Sequence, residues 1–385
     1  MSPQDEKGRY DMTQYRAEHV GSLLRPPELL AAREAYAQGR LSRAQLSERE
    51  DRAALAAIEL QRDAGIEVFT EGEVRRGSFM AGLMEALGGV VPLESTGDMV
   101  RWHRTGMADP TAEETQFEAV AASSKLYQKE RLTSTEAAFL ATHAPGQYKI
   151  TIMSASMGAG LWHPGVSEQA YLTPQELLED VMRLQIAEIE GLLDQGVTWI
   201  QLDSLSYNWV IDEELSAAFA AATGIPPAVM LEMTIGMDQA IVRATKAKNP
   251  NATVAMHFCR GNNRSAWMAK GSYEPVAERL FGEVGVDRFL LEYDTERAGG
   301  FEPLRFVPTG TTVVLGLISS KVPTLESQDD LRRRIDEAAK YVPLENLAIS
   351  PQCGFASTAS GNLLTVEDER RKLELVVQTA RKVWT

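Results

Sequence analysis

The densest chemistry in this sequence is carried by two cysteines and a histidine. Cys259 and Cys353 are the only cysteines, and His257 stands two residues before the first of them, in MHFCRGN. In an extended segment, residues i and i+2 point to the same side, so an imidazole and a thiolate there can reach one ion. Cys353 lies in SPQCGFAS, where Gly354 permits a tight turn, and Glu292 closes the apolar run of FLLEYD. One nitrogen, two sulfurs and a carboxylate oxygen make a four-coordinate donor set suited to Zn2+. Each residue also has a plainer reading. An H-x-C spacing alone is a weak signal, a free cysteine often serves as a small buried hydrophobe, and a glutamate at a strand end can cap the next helix. Whether the fold gathers the four decides between these readings.

The elements that must do the gathering are legible as alternating patterns. Short apolar, β-branched runs at 18–23, 66–70, 148–154, 198–203, 252–257, 287–293, 311–317 and 346–350 read as strands. Amphipathic stretches at 43–64, 174–195, 234–248, 272–284, 327–340 and 366–384 read as helices, with starts at Thr173-Pro174 and Ser327. Eight buried strands alternating with helices predict a parallel α/β architecture, a (β/α)8 TIM barrel. A doubly wound sheet is the alternative, but no glycine-rich phosphate turn follows the first strand. Residues 1–15 read as a disordered tail and 16–385 as a single catalytic domain. Residues 75–147 are too long for one crossover and form an insertion after the second strand, expected to be largely helical from about 111 to 142. Functional residues of such barrels sit at the C-terminal ends of strands. The polar residues there are Ser22, Glu71, Glu73, Ser154, Asp203, His257, Glu292, Ser319 and Cys353, with Cys259 two residues beyond His257.

Composition narrows the partners. Hydrophobic content of 44% and charged content of 24% over 385 residues are those of a globular protein. No apolar run approaches the length of a membrane span, and the N-terminal stretch has no apolar core of a secretory signal. A net charge of −15 argues against nucleic acid or an anionic membrane as partner. Two isolated cysteines fit the reducing cytoplasm rather than a disulfide scaffold. A homo-oligomer is compatible with all of this.

Taken in order from residue 16, the segments RAEHVGSLLRP, EVFTEGEVRR, WIQLD, MHFCRGN, FLLEYD and SPQCGFAS resemble the C-terminal catalytic barrel of cobalamin-independent methionine synthase. They are closer still to the short, single-barrel methionine synthase II-like proteins. The resemblance implies that His257, Cys259, Glu292 and Cys353 ligate zinc and that Ser22, Glu73 and Asp203 bind the amino-acid part of homocysteine. Carboxylates suit a substrate ammonium, and the backbone of a glycine-serine turn suits its carboxylate. The implied activity is a zinc-dependent methyl transfer to a small thiol, homocysteine, from an alkyl donor, giving methionine. Thiols are mostly protonated at neutral pH, and zinc lowers the pKa of the one it binds.

Two positions depart from that family. Ala155 stands about where the synthase has a tryptophan that stacks on folate. Ser319 or Ser320, in GLISSKVP, replaces a histidine that relays a proton to the folate. The donor's general acid is therefore open, with Ser319, His163 and Lys321 as candidates on the expected active face; the last two read more readily as a loop histidine and a solvated lysine. Arg75 and Arg76 are candidates for anion binding or for salt bridges. Tyr207, Asn208 and Trp209 are candidates for a pocket wall or for core packing, and Arg260 and Asn262 for orienting ligands. Two other functions fit: opening of an epoxide by a zinc-bound thiolate, as in the related epoxyalkane:coenzyme M transferase, and a non-catalytic metal- or thiol-binding barrel.

Overall fold

The structure, a computed structural model, describes residues 15–93, 101–104 and 120–384. Its strands are β1 (Val68–Phe69), β2 (Leu87–Pro92), β3 (Val120–Gln128), β4 (Gln147–Tyr148), β5 (Ile150–Met153), β6 (Trp199–Ser204), β7 (Thr253–Phe258), β8 (Arg288–Glu292), β9 (Thr312–Ile318) and β10 (Leu347–Pro351). β5 to β10 form one six-stranded sheet in chain order, parallel throughout. Every residue of these six strands is buried, so both faces are covered, as parallel sheets demand. Six of the eight predicted strands thus stand as predicted, within a residue or two at their ends.

The period of two divides the side chains cleanly. Ile200, Leu202, Val254, Met256, Phe258, Phe289 and Leu291 belong to the large core shared with the helices. Their alternates Trp199, Ala255, Leu290, Val314 and Ala348 form a second core with Tyr15, Val20 and Val68. By the same alternation Gln201, Asp203, His257, Arg288 and Glu292 belong to this second face.

The other two predicted strands are weaker. Residues 18–23 form no strand; Ala17 makes a single parallel bridge to Ile349, and β1 pairs in parallel with β4 over two residues. Side chains replace the ladder between them. Thr70 Oγ1 donates to Gly21 O at 2.7 Å, Gln61 Oε1 accepts from Thr70 N at 2.9 Å, and one backbone bond joins Leu23 N to Gly72 O at 3.0 Å. Gly21 is needed here, because a Cβ would stand 2.6 Å from Glu73 Oε1 and 2.8 Å from Thr151 Cγ2.

Helices at Arg43–Ala64, Pro174–Asp194, Glu274–Glu283, Gln328–Ala338 and Val366–Val383 lie close to the predicted stretches, whereas Pro227–Lys248 begins well before the predicted 234, and Pro27–Ala37 and Glu213–Thr223 were not foreseen. Thr173 caps its helix by accepting from Glu176 N, whereas Ser327 stands at the cap position without a side-chain bond. The insertion differs from expectation. β2 and β3 form an antiparallel pair, and among the described residues of the insertion helix occupies Ala81–Met84 and Leu132–His143. The Ala- and Ser-rich β3 is held by its neighbours: Tyr171 Oη accepts from Leu126 N at 2.7 Å, and Lys125 Nζ sits 3.9 Å from the Tyr171 ring centre. The rest of the expected helix, at 111–119, lies outside the described residues, as do residues 1–14 of the expected tail. Tyr15, counted with that tail, is buried and packs edge-on against Trp199 at 5.6 Å.

Candidate metal centre

β7 ends in His257-Phe258 and runs straight on to Cys259, so the imidazole and the first sulfur share one side of the sheet. Cys353 arrives from the turn after β10. The ligand atoms of His257, Cys259 and Cys353 all lie within 4.8 Å of one another, and all three residues are buried. The two sulfurs are 3.7 Å apart. His257 Nδ1 lies 3.2 Å from Leu290 O, its register partner on β8. A ring nitrogen facing a carbonyl must be the protonated one, which leaves the Nε2 lone pair available. Nε2 is itself buried without a well-formed hydrogen bond. One imidazole nitrogen and two sulfurs, converging in a buried site, fit a tetrahedral zinc-type ion.

Electrostatics support the thiolate. Sharing a proton with Cys259 holds Cys353 well below the usual thiol range, helped by His257 and Lys321 against burial. The same contact, with burial, pushes Cys259 well above that range. Burial alone would lower the His257 pKa, but Cys353, Asp203 and Glu292 turn it upward. A metal ion displaces such protons when it binds.

Glu292 falls outside this set. It is fully buried at the end of β8; its Oε2 accepts from Arg260 N at 2.9 Å, and Oε1 pairs with Arg297. Burial raises its pKa, but Arg297 and Lys321 overcome this and keep it ionised. Arg297 is a residue that sequence reasoning missed, since nothing in DTERAGG marks one arginine as a carboxylate partner.

A cavity of about 220 Å³ opens beside the sulfurs. Its wall includes Ser22, Glu73, Asp203, His257, Cys259 and Cys353, which unites both predicted residue groups apart from Glu292. Glu73 Oε1 accepts from Thr151 Oγ1 at 2.9 Å, and Asp203 Oδ1 accepts from Gln201 Nε2 at 2.8 Å. Burial raises the Asp203 pKa to about 7, with His257 opposing and Glu73 adding to it. Ser22 lies against Gly354 so closely that a Cβ on the glycine would stand 2.0 Å from Ser22 Oγ.

Most of the remaining wall is apolar, with Phe79, Met80, Trp102, Met157, Trp209 and Met268 on it, and Ser204, Asn262 and Ser357 are its other polar residues. Trp209 thus lines the cavity, whereas Tyr207 is buried with its hydroxyl on Asp238 at 2.7 Å, and Asn208 Nδ2 donates to Cys259 O at 3.0 Å. Trp102 and Met157 were not foreseen; a lone tryptophan in the insertion gives no periodic signal. Ala155 is buried and lies off this wall, on a smaller cavity facing the insertion.

Several candidates sit elsewhere. Ser319 is off the cavity wall, and its backbone N–H donates to Glu326 at 2.8 Å. His163 is partly exposed, with Nδ1 2.9 Å from Pro164 O. Lys321 is buried, and Nζ donates to Gly261 O at 3.0 Å and Asn262 Oδ1 at 3.2 Å. Asn262 Nδ2 in turn donates to Gly354 O at 2.8 Å, so it braces the Cys353 turn. Arg260 spends its side chain on Gly271 O and on the Tyr273 ring. Both arginines proposed for anions are paired within the chain. Arg75 meets Asp51 at 2.7 Å and Glu71 at 3.3 Å; Arg76 grips Glu136 through two nitrogens and Thr151 O at 2.8 Å.

Known proteins resemble the chain over nearly its whole length. The family profile described as "Cobalamin-independent synthase, Catalytic domain" matches residues 15–382. The chain is 34% identical over 375 residues to protein YxjH of Bacillus subtilis (strain 168), covering 96% of this chain and 95% of that one. It is 22% identical over 336 residues to the methionine synthase of Pyrococcus abyssi (strain GE5 / Orsay), covering 87% and 85%. A Listeria monocytogenes structure, provisionally described as a vitamin-B12 independent methionine synthase, superposes with a TM-score of 0.71 at 28% identity, over 96% and 98% of the two chains. The B12-independent methionine synthase of Shewanella sp. W3-18-1, solved in complex with selenomethionine, shares the fold, with a TM-score of 0.70 at 17% identity over 96% and 97%. With its parallel sheet, strand-end sulfurs and profile match from end to end, the chain belongs to the cobalamin-independent synthase catalytic-domain family.

Proposed function

We propose that this protein is a zinc-dependent thiol methyltransferase that converts homocysteine to methionine. The observation that carries the reading is the convergence of His257, Cys259 and Cys353 on a cavity whose wall also holds Ser22, Glu73 and Asp203. His257, Cys259 and Cys353 would hold the ion, with Glu292 as the fourth ligand that the family resemblance names. Bound there, zinc supplies thiol activation, lowering the substrate thiol's pKa so that its sulfur is nucleophilic at neutral pH. Glu73 and Asp203 take the substrate ammonium, and the turn carrying Ser22 takes its carboxylate. Asp203, near neutrality on its own, becomes the anionic partner once an ammonium lies beside it. Dry apolar walls exclude water and strengthen these charge contacts.

The fold is read with it as a (β/α)8 barrel, in which the Ala17 bridge and the β1–β4 pair supply the two staves missing from the six-stranded sheet. The common core of Tyr15, Val20, Val68 and five sheet residues supports that closure. A cytoplasmic location is part of the same reading, because two unpaired cysteines suit a reducing compartment.

Epoxide opening with coenzyme M needs a cation for the sulfonate, and Arg75 and Arg76 are spent on Asp51, Glu71 and Glu136. A purely structural metal site has no use for a cavity of this kind beside its ligands. The deciding experiment is zinc analysis followed by X-ray absorption with and without homocysteine. The expected result is about one zinc per chain with an additional sulfur in its shell when homocysteine is present. Unchanged zinc content in Cys259→Ser and Cys353→Ser would sink the proposal.

A further inference from the structure

The apolar half of the cavity constrains the methyl donor. No lysine or arginine lines the wall among the described residues. The three proton-donor candidates are all elsewhere: Ser319 and His163 stand off the wall, and Lys321 Nζ is committed to Gly261 O and Asn262 Oδ1. Serine hydroxyls on the wall are too weak as acids to protonate a leaving amine. Glu73 and Asp203 are the remaining carboxyl groups there, and the proposed function, on which this inference rests, commits both to the substrate ammonium.

A donor that leaves as an amine anion or an alkoxide needs a proton in the transition state. A donor that already carries a positive charge does not. What the wall offers in place of an acid is three aromatic rings, Phe79, Trp102 and Trp209, with the polarisable sulfurs of Met80, Met157 and Met268. Ring faces attract onium groups, tryptophan most strongly, and a wall that bears carboxylates and, among the described residues, no lysine or arginine adds to that attraction.

We propose that the donor this cavity accepts is a small methyl onium compound, a sulfonium or quaternary ammonium ion seated against Trp102, Trp209 and Phe79. The step balances without acid or oxidant. The thiolate's lone pair forms the new carbon–sulfur bond as the donor's carbon–onium bond breaks. The bonding pair stays on the leaving sulfur or nitrogen, which departs as a neutral thioether or amine. One negative and one positive charge become two neutral products, and no proton moves.

The test has a binding arm and a transfer arm, both on the zinc-loaded full chain. Tryptophan fluorescence is followed while choline, or its uncharged isostere 3,3-dimethylbutan-1-ol, is added. Choline is expected to bind about tenfold more tightly, and Trp102→Leu and Trp209→Leu each to erase most of that preference, with Trp→Phe variants keeping part of it. In the transfer arm, S-methylmethionine carrying a labelled methyl is supplied with homocysteine, and labelled methionine is expected. Equal affinity for the charged and neutral probes overturns the inference. So does methionine formed from methyltetrahydrofolate or methylcobalamin and from no sulfonium, while zinc and homocysteine binding are intact. Loss of homocysteine binding itself would overturn the proposed function along with it.

Discussion

Lys149→Met tests how the interior holds the site. Lys149 and Glu18 are both wholly buried, and the ammonium donates to Glu18 Oε1 at 2.9 Å, His19 O at 2.5 Å and Gln201 Oε1 at 2.7 Å. Three protons thus meet three acceptors, the full capacity of the group. Arg288 binds the other Glu18 oxygen at 2.8 Å. On the far side, Gln201 Nε2 donates to Val20 O at 2.7 Å and Asp203 Oδ1 at 2.8 Å. The chain Arg288, Glu18, Lys149, Gln201, Asp203 therefore carries fixed charge from the core to the cavity. Methionine fills most of the lysine's volume but serves none of its acceptors. Glu18 keeps Arg288, so the loss falls mainly on His19 O and Gln201 Oε1. At roughly 1–3 kcal/mol for each orphaned buried acceptor, plus part of a broken buried ion pair, the cost is about 3–5 kcal/mol. For a chain of this length that is a fall in Tm of about 5 °C.

The functional consequence is separate. Gln201 loses the contact that fixes its carbonyl end, and Asp203 loses a rigid donor. The KM for homocysteine should rise about tenfold with zinc content unchanged, because the sulfur ligands hang from other strand ends. Differential scanning calorimetry and zinc analysis read the two effects. A Tm within about 1 °C of wild type, or an unchanged KM, would refute the reasoning.

Three other substitutions and one control probe different parts. Glu369 is buried with only the Leu24 N–H at 3.0 Å, and burial raises its pKa from 4.5 to about 8. The folded state then binds the extra proton between those values, so its contribution is fully present below about pH 4.5 and is lost as pH rises through about 8. Glu369→Gln should be near neutral at acid pH and stabilising by a few kcal/mol at about pH 9, and a urea-midpoint difference flat across that range would contradict it. Gly354→Ala drives a methyl to 2.0 Å from Ser22 Oγ; an overpacking cost of about 1–3 kcal/mol and a marked loss of homocysteine affinity by calorimetry are expected. Gly236, exposed in the helix Pro227–Lys248 with open space at its Cβ, is the control, and alanine there should stabilise by about 0.5–1 kcal/mol. Asn208→Ala removes the Nδ2 bond to Cys259 O and should weaken zinc binding about 10-fold or more in chelator competition, with unchanged affinity counting against a bracing role.

What the sequence discloses about this molecule follows from the range of the interactions involved. His257 and Cys259 are two residues apart on one strand, so their shared direction could be read from the period alone. The helix Pro174–Asp194 announces itself through Thr173 and Pro174, a local cap. Residues 18–23 misled because side chains from other elements, Lys149 on His19 O, Gln201 on Val20 O and Thr70 on Gly21 O, take the carbonyls that a ladder would use, and no pattern reveals them. β3 misled for the opposite reason, since Ala and Ser favour no sheet until Tyr171 and β2 supply one. Arg76 and Glu136 lie 60 residues apart and Lys321 reaches Asn262 across 59; pairings at that separation depend on the whole fold.

The register of the sheet then explains why the site is where it is. Asp203 stands opposite His257, and His257 opposite Leu290, whose carbonyl selects the imidazole tautomer. Glu292 stands opposite Gly316. A side chain at that glycine would meet Leu291 O at 2.7 Å and Gln352 Cα at 2.8 Å, so the missing Cβ is what lets the turn bearing Cys353 approach the strand beneath it. A slip of one residue in β7 would send His257 into the helix-facing core and Phe258 into the cavity. The ligands therefore depend on strand pairing more than on the reach of their own side chains. Gly316→Ala should accordingly displace Cys353 without touching it, and its cost should appear in zinc affinity as well as in stability.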